Sequence, residues 1–92
     1  MKFLFPLGQV VATPGAIDLL ENNNLEISSL LTRHVSGDFG NLCREDLKAN
    51  RDALVDGARI FSSYEINDDK DKIWIITESD RSATTLLLPE EY

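Results

Sequence analysis

His34 is the only histidine of the chain, and it stands in the segment Arg33-His34-Val35-Ser36-Gly37-Asp38-Phe39-Gly40. An imidazole exchanges its proton near neutral pH, so a lone histidine beside a hydroxyl, a carboxylate and two glycines has the makings of a general acid or base. A plainer reading fits the same residues. His34 then closes an apolar helical stripe as a hydrogen-bonded, partly buried ring, and Asp38 caps the turn that follows.

The densest polar stretch is Thr77-Glu78-Ser79-Asp80-Arg81-Ser82-Ala83-Thr84-Thr85. A guanidinium forks to two phosphate oxygens and hydroxyls bond the others, so Arg81 with Thr84, Thr85 and Tyr64 can be read as an anion site. With His34 as acid or base, the set His34, Tyr64, Arg81 and Thr84 is the kit of a small metal-independent ribonuclease. The alternative is a hairpin turn in which Arg81 pairs with Glu78 or Asp80. Asp68, Asp69 and Asp71 crowd another turn, but they lack the ligand spacing, central glycine and terminal glutamate of a calcium loop. They read as a solvated hairpin tip. One histidine and one cysteine cannot close a zinc site, and neither a phosphate-binding nor a dinucleotide-binding glycine pattern is present, so neither metal nor cofactor is expected.

These side chains need elements to hold them. Thr13 is a good N-cap, with Pro14 at the first helical position and Ala16, Ile17 and Leu20 as the apolar stripe; a simple turn at Thr13-Pro14-Gly15 is the alternative. Asn22, Asn23 and Asn24 end this helix. Ile27, Leu30, Leu31 and His34 recur at helical spacing, with Ser28 or Ser29 as cap. Gly37 and Gly40 break the chain. Asn41 is the expected cap of a third helix running to about Asp56, with Glu45 and Asp46 in its first turn. Cys43, Leu47, Asn50 and Leu54 form its stripe, and Gly57 stops it. An Asn on such a stripe needs partners, and the loop around Asp38 is one candidate.

The last third alternates. Residues 59–66 place Ile60, Tyr64 and Ile66 on one side and Phe61 on the other. Residues 73–77 (Ile-Trp-Ile-Ile-Thr) read as a central strand, and residues 83–88 as another, stopped by Pro89. The expectation is an α+β fold with two or three short N-terminal helices packed on a C-terminal three-stranded antiparallel meander. Pro89-Glu90-Glu91-Tyr92 reads as a surface extension whose tyrosine anchors on a partner or on its own domain.

A length of 92 residues and a hydrophobic content of 42% allow one small core. The formal charge of -7 excludes a basic nucleic-acid binder and a polybasic membrane-surface protein. Cys43 has no internal partner for a disulfide, which points to the cytoplasm. The start, Met1-Lys2-Phe3-Leu4-Phe5, opens like a signal peptide, but Pro6 and Gly8 interrupt it.

Two stretches carry a resemblance. One is His34 to Gly40 with Arg44-Glu45-Asp46 and Asn50; the other is Trp74-Ile75-Ile76-Thr77-Glu78, Asp80 to Thr85 and Leu88-Pro89-Glu90-Glu91-Tyr92. Together they resemble small bacterial proteins carried on plasmids and integrative elements, which are labelled plasmid-related proteins or subunit M of type I restriction enzymes. The resemblance spans nearly the whole chain. It implies a setting of mobile elements and defence systems, but no methyltransferase, because the chain is short and lacks a cofactor glycine motif.

From charge and resemblance together, the leading expectation is a non-enzymatic acidic binding protein. Asp38, Asp68, Asp69, Asp71, Glu78 and Asp80 would steer it to a basic surface of a host nucleic-acid-handling defence complex, as an anti-restriction or anti-CRISPR protein would act. No direct nucleic-acid contact is expected, and the chain is a monomer or a homodimer. A ribonuclease and a structural dimer joined through a sheet edge are the alternatives. The ribonuclease requires His34, Tyr64, Arg81 and a threonine to converge on one phosphate-sized site; the acidic binder requires its carboxylates on one face.

Overall fold

A computed structural model describes residues 3–92; Met1 and Lys2, the start of the interrupted leader-like segment, lie outside the described residues. The fold is α+β. Strand β1 (Gln9–Ala12) leads into helices α1 (Pro14–Asn22), α2 (Ile27–Val35) and α3 (Arg44–Asp56). Strands β2 (Ile60–Glu65), β3 (Lys72–Thr77) and β4 (Ala83–Leu87) follow, and a 3-10 turn (Pro89–Glu91) ends the chain. The sheet has the order β1-β4-β3-β2. β2, β3 and β4 are the expected antiparallel meander. Among the described residues no helix is long and apolar enough to cross a membrane.

The sheet has a fourth strand that the sequence reading did not assign, so helices do not come first. β1 pairs parallel to β4, with Val11 opposite Thr85. Four residues are too few to show an alternation of their own, and their extended form is set by the strand they join. Thr13 makes the handover from sheet to helix. Its N–H donates to Leu86 O at 3.0 Å, continuing the ladder, while its side-chain oxygen accepts from Ala16 N at 3.1 Å and caps α1. That hydroxyl then donates to Glu91 at 2.6 Å, so the C-terminal turn is tied to the start of α1 and is not a loose extension.

The other caps differ from expectation. Glu26, not Ser28 or Ser29, is the N-cap of α2, and Cys43, not Asn41, is that of α3. Neither offers a side-chain cap bond; Ser29 instead donates back to Glu26 O at 2.7 Å. Cys43 is exposed at the helix start and is not a core residue. Gly57 ends α3 in the left-handed conformation, with φ of 78°.

All three helices cover one face of the sheet. Ala16, Leu20 and Leu30 pack on Tyr64, Ile73, Ile75 and Leu86. Phe5, Val35, Phe39 and Ala53 pack around Ile60.

The outer edge of β2 is closed by polar groups. Asn50 donates from Nδ2 to Phe61 O at 2.6 Å and accepts from Phe61 N at 3.0 Å. It thereby copies the two bonds of a neighbouring strand. Ser63 N donates to Phe39 O, and Asn41 N to Ser63 O. The Asn41 side chain accepts from Glu65 N at 3.3 Å. Gly40 makes this approach possible: a Cβ there would collide with the Ser63 carbonyl, and its φ is 76°. Asn50 thus serves the strand edge rather than the loop around Asp38. An edge without free N–H groups offers no template for another strand.

Removing the Asn50 side chain strands a donor and an acceptor at once. We expect Asn50→Ala to lower the unfolding free energy by about 2 kcal/mol in urea denaturation, with faster hydrogen exchange at the Phe61 amide as the local sign.

Candidate functional site

His34 sits on the inward face of α2 and is fully buried, as are Ser62, Thr77 and Thr84. Its Nδ1 lies 2.5 Å from Ser62 Oγ and its Nε2 lies 2.9 Å from Thr77 Oγ1. Thr77 Oγ1 is 2.7 Å from Thr84 Oγ1, which donates to Leu7 O at 2.7 Å. Counting protons fixes every direction in this chain. A carbonyl oxygen only accepts, so Thr84 spends its one proton on Leu7. Thr84 must then accept from Thr77, and Thr77 must accept from His34. The imidazole therefore carries its proton on Nε2, and Nδ1 accepts from Ser62.

The pocket around the ring is apolar. Phe5 and Phe39 meet the imidazole edge to face, with centroids at 5.2 and 6.2 Å. Burial pushes the His34 pKa down from 6.5 to about 4, because a charged ring would lose its water with no carboxylate to compensate. The arrangement holds one neutral tautomer with both nitrogens occupied. It presents no lone pair and no proton to a substrate.

The other residues of the ribonuclease set have equally fixed tasks. Tyr64 is fully buried and donates to the Asp38 carbonyl at 2.6 Å. Burial pushes its phenol up to about 12. Arg33 lies over the Tyr64 ring at 4.4 Å and grips Asp38 at 2.7 Å. That guanidinium holds the Asp38 carboxyl below its usual range, and Asp38 also accepts from Gly40 N. Arg81 pairs with neither Glu78 nor Asp80 through its carboxylate. Its Nη1 donates to Ala58 O at 2.6 Å and Glu78 O at 3.1 Å, and its Nη2 to Ala53 O at 3.1 Å. It closes the end of α3 onto the β3–β4 turn, and its own φ of 61° is part of that turn. Phe5 separates it from His34, with the guanidinium 5.8 Å from that ring. Thr84 faces inward, and Thr85, the next residue along the strand, faces outward. These groups surround a closed core and do not line a phosphate-sized opening.

The six candidate carboxylates fall in three places and share no single face, so the one-face arrangement expected of an acidic binder is not met; only the β2–β3 tip gathers three of them. Asp68, Asp69 and Asp71 occupy the β2–β3 tip, where Asp71 is braced by Asn67 at 2.9 Å. Glu78 and Asp80 lie on the β3–β4 turn, at the opposite end of the sheet. Asp38 precedes the loop that borders β2. Asp80 accepts from Ser82 N, and hydrogen bonding from the Ser82 hydroxyl, then from its backbone N–H, holds the carboxyl below its usual range. Among the described residues no cluster of three or more His, Cys, Asp or Glu is placed to hold a metal ion.

The feature that sequence reasoning passed over is on the helix-free face. Arg59, Phe61, Trp74, Ile76 and Tyr92 line an open hollow of about 310 Å³. Trp74 meets Phe61 edge to face at 5.0 Å, and Tyr92 folds back onto Trp74 at 5.7 Å. The signal was present in the run Ile73-Trp74-Ile75-Ile76, since an uninterrupted apolar strand has no polar face to give to water.

A buried neutral histidine makes stability depend on pH with a definite sign. Above pH 6.5 both folded and unfolded chains hold a neutral ring, and the contribution is complete. As pH falls from 6.5 towards 4, the unfolded chain gains a proton that the folded one refuses. The unfolding free energy should fall by about 3 kcal/mol across that window, and urea melts at successive pH values measure it. The upper part of the window belongs to His34 alone, because carboxylates titrate below it.

Compared with known proteins, the chain matches no family model, no curated protein and no solved structure, and its role rests on the geometry of its own residues.

Proposed function

We propose that this chain is a non-enzymatic acidic binding protein of a mobile genetic element, acting in the cytoplasm. It docks on a basic surface of a nucleic-acid-handling defence complex and competes there with phosphate. The observation that carries this reading is how the titratable groups divide. The one side chain able to exchange a proton near neutrality is sealed behind Phe5 and Phe39, with both its nitrogens occupied. The carboxylates lie outside, and among the described residues only Asp38, Asp52 and Glu78 have a cation within ion-pair distance. Charge placed this way can steer and bind, and the imidazole is taken up by the fold.

The Asp68, Asp69 and Asp71 tip is the contact we favour. It projects from the β2–β3 turn, and among the described residues two of its three carboxylates carry no side-chain hydrogen bond. Because Glu78 and Asp80 stand at the other end of the sheet, they add long-range attraction rather than a second part of the same contact. Such attraction weakens as salt shortens the screening length, which is about 8 Å at physiological ionic strength.

Affinity capture from lysate of a host carrying restriction and CRISPR systems tests the reading, with Asp68→Lys, Asp69→Lys and Asp71→Lys combined as the control. The expected result is a nuclease or other nucleic-acid-handling complex held by the wild type, released by raised salt and by competing DNA, and not held by the charge-reversed chain. Recovery of no specific partner, or equal recovery by the reversed chain, overturns it.

A further inference from the structure

The sheet face opposite the helices has an unusual make-up for a surface. Strand register sets its side chains in rows. Val11, Thr85, Ile76 and Phe61 form one row across all four strands. Leu87 and Trp74 stand opposite each other in the next, beside Ser63. The solvated face of an antiparallel sheet is ordinarily polar; here the two central rows are mostly apolar, with Ile76, Leu87 and Ser63 already buried and Val11, Thr85, Phe61 and Trp74 still open to solvent in whole or in part.

The charges on this face are confined to its two ends, and at each end they cancel. Glu65 stands directly opposite Lys72. At the other end Arg59 lies 3.8 Å from Glu78. These four side chains therefore add no net charge to the face, while the chain as a whole carries a formal charge of -7. Two copies of the chain repel one another through that charge. On this face, two apolar centres can meet with charge-balanced rims.

We propose that this face is the interface of a homodimer, formed by packing two sheets face to face. Side chains of two such faces interdigitate at the spacing of a sandwich core, and a two-fold axis brings the same rows of both copies together. Tyr92 and Arg59 rim the hollow over Trp74, where the aromatic side chains of the second copy seat. The β2 edge takes no part, since Asn50, Asn41 and Phe39 already occupy it. The contact is independent of the acidic tip, so a dimer presents two tips to a basic partner.

Sedimentation velocity of the purified chain, from low to high micromolar concentration, tests this. The expected result is a monomer–dimer equilibrium, with the emission of Trp74, the only tryptophan, shifting to the blue as dimer forms. Arg59→Glu spoils the charge balance at an exposed position, and Thr85→Glu places a charge in the central row. Each should weaken the dimer at least about tenfold, and circular dichroism checks that each remains folded. Val55→Lys, at a position 86% exposed on α3, should leave it unchanged. A chain that stays monomeric at the highest concentration overturns the proposal. So does a dimer that neither Arg59→Glu nor Thr85→Glu weakens. Capture of a basic partner by a strictly monomeric chain would overturn this inference alone and leave the proposed function standing.

Discussion

Leu7 offers a carbonyl oxygen, and Thr84 has one proton to give it. From that single constraint the direction of every bond in the core chain follows, through Thr77 to the Nε2 proton of His34 and back to Ser62. The chain stitches together pieces distant in sequence: the N-terminal segment, β4, β3, α2 and β2. It also explains four polar side chains with no exposure in a protein this small. Each is costly to bury alone, and each is bonded here. Hydroxyls and a neutral imidazole serve better than an ion pair would, because nothing charged has to leave water.

The same wiring shapes what the surface is free to do. Arg81 spends its guanidinium on the carbonyls that end α3 and shape the β3–β4 turn, and Arg33 spends its own on Asp38. Asn50 and Asn41 finish the β2 edge. The residues most able to do chemistry are thus the ones most committed to holding the fold. What remains outward is a scatter of carboxylates and one uncharged apolar face. Under the proposed function the carboxylates steer, and under the proposed dimer the apolar face packs.

Much of this was legible from residue order. Thr13 and Pro14 announced α1, Gly57 ended α3, and the alternation of Ile60, Phe61 and Tyr64 gave the two faces of β2. What the sequence hid was set by tertiary pairing. β1 is a strand only because β4 lies beside it, and Asn41 looked like a helix cap because a side chain suited to one unpaired backbone group suits another. The site was legible in part. His34 as a hydrogen-bonded ring on an apolar stripe could be read from helical spacing, but Ser62, Thr77 and Thr84 as its neighbours could not, since hydroxyls in strands announce nothing about which face they will take. The outer face was written in the unbroken run around Trp74, where strand centrality and a second apolar face give the same signal.

The core hydrogen-bond chain requires His34 to be a neutral structural ring rather than an acid or base. Nitrogen–proton correlation NMR of its imidazole, followed from about pH 8 to about pH 5, reads this directly. The predicted spectrum has the proton on Nε2, slow to exchange with water, and shifts that stay close to neutral-ring values over that range, moving only slightly towards pH 5. A ring that titrates near 6.5, or that carries its proton on Nδ1, would contradict the derived bond directions and return His34 to the candidates for catalysis.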